Sequence, residues 1–81
     1  MRTDVCARED VDTQAALLEA LGSAGAVPDD DTAGELPFPI GLHRFTAPDG
    51  TLTVFVDAWG VDLEGPDELA QRVLAHLTAA G

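Results

Sequence analysis

Few residues in this 81-residue chain have side chains that could do chemistry, and they are far apart in sequence. Cys6 is its one cysteine, His43 and His76 are its two histidines, and an acidic run, Asp29-Asp30-Asp31 with Glu35 behind it, is its densest charge. One cysteine and two histidines cannot build the usual structural zinc site, and a lone cysteine forms no internal disulfide. The acidic run with Gly34 invites a calcium-loop reading. It fails, because the fifth ligand position would fall on Ala33 and the twelfth on Ile40, where oxygen donors are required. Cys6 is the only strong nucleophile, and an acidic chain offers little to stabilise its thiolate. There is no glycine-rich phosphate loop, no H-E-x-x-H, no Cys-x-x-Cys and no G-x-G-x-x-G. The residues therefore predict no catalytic group, no cofactor and no metal.

Charge narrows the partners. Fifteen acids face four arginines and no lysine, a formal net charge of −11. Residues 1–39 hold nine of the acids and two of the arginines. Such a surface repels nucleic-acid backbones and anionic lipid, and favours a protein with a basic surface. The same composition, rich in Ala, Gly, Val and Asp, is also what GC-rich coding or adaptation to high salt produces, in which case the acidity is not functional. No stretch approaches the roughly 18 apolar residues of a membrane span, and MRTDVCARED lacks the apolar core of a signal peptide, so a cytoplasmic location is expected.

The elements that must position these residues follow from periodicity. An apolar content of 46% predicts a globular fold, and the length predicts one small domain over 1–81. Residues 1–9 read as a flexible N-terminus. Leu17, Leu18, Leu21 and Ala24, with Val11 and Ala15 upstream, recur at helical spacing after Asp10 or Asp12 as the cap, which predicts a helix from Thr13 to Ala24. Residues 26–39, with three prolines and four acids, read as an acidic loop. A second helix is predicted from Pro66 to Ala79, with Leu69, Val73, Leu77 and Ala80 on one stripe and His76 at its boundary.

Between them lies the strongest local signal, IGLHRFTAPDGTLTVFVDAW, two β-rich runs around Ala47-Pro48-Asp49-Gly50-Thr51. With Pro48, Asp49 and Gly50 as a three-residue loop, Ala47 faces Thr51, Phe45 opposes Thr53 and His43 opposes Phe55. Period-2 alternation then puts Ile40, Leu42, Leu52, Val54, Val56 and Ala58 on one face and His43, Phe45, Thr53, Phe55, Asp57 and Trp59 on the other. His43 and Asp57 would lie diagonally within hydrogen-bonding reach. The expected class is α+β, in the order α-β-β-α, an antiparallel hairpin packed with two amphipathic helices.

That second face raises the functional question, since leaving its aromatics in water forgoes several kcal/mol, at about 1.5–3 kcal/mol each. A helix on each face would hide them; two helices on the aliphatic face would leave them for a partner or for a homodimer. The function expected is a small non-catalytic protein-binding module: an adaptor, an inhibitor or immunity-type protein, or a small subunit of an assembly. Its partner-binding residues would be His43, Phe45, Phe55, Asp57 and Trp59, with Asp29, Asp30, Asp31 and Glu35 steering electrostatically. The alternatives are a phage or mobile-element antagonist that mimics nucleic acid, and a domain whose acidity reflects salt or coding bias.

Overall fold

The computed structural model of the chain describes residues 1–29 and 34–80. Seven elements follow one another: β1 (Arg2–Cys6), α1 (Val11–Ser23), β2 (Val27–Pro28), β3 (Gly41–Ala47), β4 (Gly50–Val56), β5 (Val61–Glu64) and α2 (Asp67–Ala80). The fold is α+β, but its order is β-α-β-β-β-β-α, not the expected α-β-β-α. The five strands form one antiparallel sheet in the order β1-β5-β4-β3-β2, so the first strand pairs with the last.

Both helices begin and end close to where capping chemistry predicts. Asp10 caps α1, its carboxylate accepting from the Thr13 amide at 3.1 Å and the Thr13 hydroxyl at 2.6 Å. Two orphan carbonyls at the other end are satisfied by a Schellman arrangement, in which Ala26 N–H donates to Leu21 O and Gly25 N–H to Gly22 O, both at 3.0 Å. Helix α2 starts after Gly65-Pro66, and Ala70 N–H closes its first turn on Pro66 O at 2.8 Å.

The hairpin is present, and its register differs from the expected one by a residue. Only Pro48 and Asp49 form the loop, and Ala47 pairs with Gly50 rather than Thr51. Gly50 adopts φ +148°, a conformation that disfavours any other residue, and so enters the strand directly from the turn. A one-residue slip sends every side chain of one strand to the other face. Phe45 now opposes Leu52, His43 opposes Val54 and Leu42 opposes Phe55. The inward face therefore carries His43, Phe45, Ala47, Leu52, Val54 and Val56, all buried.

Both helices cover that face. Leu17, Ala20 and Leu21 of α1 and Leu69, Ala70 and Val73 of α2 share one apolar cluster with Phe45, Leu52, Val54, Val61 and Leu63. Phe45, Leu52 and Val54 are essentially inaccessible, each burial worth about 1.5–3 kcal/mol. The segment 1–9, read from sequence as a flexible terminus, contains a further strand. Residues 2–6 are an edge strand, tied to β5 from Arg2–Glu64 to Asp4–Asp62, with Val5 bulged out of the register before Cys6 meets Val61. The acidic loop begins with a short strand, Val27 pairing with Thr46 and Pro28 with Phe45.

Gln14 locks the two irregular segments to α1. Fully buried, it donates from Nε2 to Arg8 O at 2.7 Å and accepts the Phe38 N–H on Oε1 at 2.9 Å. A buried amide is tolerated here because both of its ends are used. The Phe38 ring then stacks on His43, with centroids 6.1 Å apart.

Candidate binding surface at the open face of the sheet

Both helices lie on one side of the sheet, and no described element covers the other. Alternation places Arg2, Asp4, Leu42, Arg44, Thr53, Phe55, Asp62 and Glu64 there, in rows set by the strand pairing. One row runs Asp4–Asp62–Phe55–Leu42, and the next Arg2–Glu64–Thr53–Arg44. Leu42 is 49% exposed and Phe55 half-buried. The Arg2 side chain lies across Phe55, its guanidinium carbon 4.3 Å from the ring centroid, and pairs with Asp62 at 3.1 Å.

Beyond this face the β4–β5 turn carries Trp59, 89% exposed. The turn is held from within. Asp57 Oδ1 accepts the Trp59 N–H at 2.8 Å and the Gly60 N–H at 3.0 Å, and Asp57 N–H donates to Gly60 O at 3.1 Å. Gly60 is required by a close approach, since a Cβ there would stand 2.8 Å from the Cys6 carbonyl oxygen. The β1 bulge and this turn together enclose a groove of about 410 Å³, lined by Asp4, Cys6, Ala7, Asp57, Trp59 and Asp62 among others.

The electrostatics of the groove are those of crowded carboxylates. Asp62, opposite Asp4, pushes the Asp4 carboxyl above its ordinary value of 3.8, by a hydrogen bond and by like charge. Burial raises the Cys6 thiol above its ordinary value and Asp10 adds to the shift, so the thiolate is disfavoured. Among the described residues no three His, Cys, Asp or Glu side chains come together as a metal-ligand set. No described helix is long and apolar enough to cross a membrane.

The residues singled out from sequence are divided by this geometry. Phe55, Asp57 and Trp59 lie on the open face or its rim. His43 and Phe45 do not: they are 4% and 1% exposed, turned under the helices by the register slip. The expected His43–Asp57 pair is absent for the same reason. His43 Nε2 instead donates to Pro39 O at 2.7 Å, leaving Nδ1 buried without a partner among the described residues. Asp29 is exposed at the far edge of the sheet, accepting from the Thr46 hydroxyl at 2.7 Å, while its N–H extends the β2 pairing to Arg44 O. Glu35 is exposed in the segment before β3. Asp30 and Asp31 lie outside the described residues. His76 is exposed, its Nε2 3.4 Å from the Ser23 hydroxyl.

Sequence reasoning did not single out Asp4 and Asp62, the acids beside Trp59. The alternation in Arg2–Cys6 and Val61–Glu64 was the available signal, Thr3 and Leu63 inward with Asp4 and Asp62 outward. Compared with known proteins, the chain matches no family model, no curated protein and no solved structure.

Proposed function

We propose that this chain is a non-catalytic protein-binding module that engages its partner with Trp59 and the adjoining open face of the sheet. The observation that carries this reading is the 89% exposure of Trp59 on a turn held by Asp57. A fully buried aromatic of this kind removes about 150–250 Å² from water, and its burial is worth about 1.5–3 kcal/mol before the costs of association. Tryptophan is the residue most enriched among those that dominate interface energetics. Its mounting matters equally, because a turn already fixed by three hydrogen bonds loses little conformational freedom on docking.

Charge selects the partner. With a net charge of −11, a basic protein surface is attracted and steered, whereas a second copy of the chain brings the same sign. The test is Trp59→Ala, compared with the wild type for capture of a partner from a lysate of the source cells and for stability in urea. The variant should keep its stability within about 0.5 kcal/mol, as an exposed position does, and lose the partner. Capture that is undiminished in Trp59→Ala, or a loss of several kcal/mol in stability, would overturn the proposal.

A further inference from the structure

The open face already receives one guanidinium, and it does so with a ring and a carboxylate. Arg2 lies 4.3 Å over Phe55 while its Nε and Nη2 each meet Asp62 Oδ2 at 3.1 Å. At the rim of the same face a second aromatic and a second carboxylate share the β4–β5 turn, where Asp57 accepts the Trp59 N–H, and both line the groove together with Asp4. The ion pairs among the described residues are Met1 with Asp67, Arg2 with Asp62 and Arg72 with Asp49, so no cation of the described chain pairs with Asp57 or Asp4. Asp57 Oδ1 is committed to the turn, and its other carboxylate oxygen has no hydrogen-bond partner among the described residues.

We propose that the groove beside Trp59 binds an arginine side chain from a basic segment of another protein, the guanidinium stacking on the indole and bonding to Asp57 and Asp4. This rests on the protein-binding reading above and names what that surface recognises. Three considerations select arginine. The charge is complementary, carboxylates and a net −11 against a cation, which also disfavours an anionic ligand or a second copy. The indole favours a planar cation that can stack, and the guanidinium alone among side chains combines stacking with a fork of donors for carboxylates. The like-charge crowding that pushes up the Asp4 carboxyl is relieved when a cation enters.

The test uses a fluorescein-labelled Gly-Arg-Gly-Arg-Gly peptide and its citrulline counterpart, equal in shape but uncharged, with binding to the full chain read by anisotropy. The arginine peptide should bind about tenfold more tightly than the citrulline peptide, and Trp59→Ala, Asp57→Asn and Asp4→Asn should each weaken it about tenfold. Asn at 57 retains the oxygen that holds the turn, and Trp59 and Asp4 are exposed, so these variants keep the fold. Glu19→Gln, which removes an exposed charge on α1, on the covered side of the sheet, should leave binding unchanged. Equal binding of the two peptides would show that the guanidinium is not recognised, and binding unaltered by Trp59→Ala would reduce the effect to overall charge attraction; either result overturns the inference. A cellular partner lost in Trp59→Ala, with no preference for the arginine peptide, would overturn the arginine assignment alone and leave the protein-binding reading standing.

Discussion

Asp4 and Asp10 sit only six residues apart, and their surroundings move their carboxyl groups in opposite directions. At Asp10 the Thr13 hydroxyl and amide both donate to the carboxylate, lowering it from 3.8, so its contribution to stability is present above the ordinary value and is lost as pH falls through the lowered one. At Asp4 the neighbour is Asp62, and the carboxyl is raised. A raised acid holds its proton more tightly in the folded chain than in the unfolded one. Its favourable contribution is therefore present below 3.8 and is lost as pH rises through the raised value, leaving an ionised repulsive pair at neutral pH. Replacing Asp4 by Asn should accordingly raise Tm above that of the wild type at pH 7, with the gap closing as the pH is lowered toward 3.8. Melting curves of both proteins across that range check it, and a gap that does not vary with pH would show that repulsion by Asp62 is not its cause.

Between elements, fit is decided by backbone approach as much as by apolar area, and two glycines separate these effects. A Cβ at Gly60 would press on the Cys6 carbonyl oxygen at 2.8 Å, so Gly60→Ala must push β1 and the Trp59 turn apart, at about 1–3 kcal/mol. Gly22, inside α1, has nothing within 4 Å of its added Cβ, and Gly22→Ala should stabilise the chain by about 0.5–1 kcal/mol through helix propensity. Urea denaturation of the two variants gives opposite signs if the β1–turn approach is structural, and equal signs if it is not. The same distinction explains what could be read beforehand. Both helices and the existence of the hairpin were legible, since capping residues and apolar spacing are local signals. The hairpin register was not: Pro48-Asp49-Gly50 suits a two-residue loop as well as a three-residue one, and the choice inverts β3 relative to β4. Burial then went to His43 and Phe45, while Leu42 turned outward. Strands β1 and β5 are short, carry charge at alternate positions and pair across almost the whole chain, so no local pattern joined Asp4 to Asp62 beside Trp59.

For the molecule as a whole, the −11 charge is carried on a body with a radius of gyration of 11.0 Å, close to the Debye length of about 8–10 Å at ordinary ionic strength. The acids therefore repel one another across much of the surface, and only three ion pairs among the described residues offset them, all at exposed positions or nearly so. Folding concentrates that charge, so added salt should favour the folded state. Tm is expected to rise with sodium chloride and to level off before about 1 M, where the Debye length of about 3 Å leaves little repulsion between exposed groups. Thermal melts at neutral pH across that range check it. A fall in Tm with salt would mean that ion pairs outweigh repulsion, and a rise continuing into the molar range would point to a chain adapted to high salt. Levelling off separates the chain from one adapted to high salt, and leaves the acidity available for the proposed attraction of a basic partner toward the face that carries Trp59.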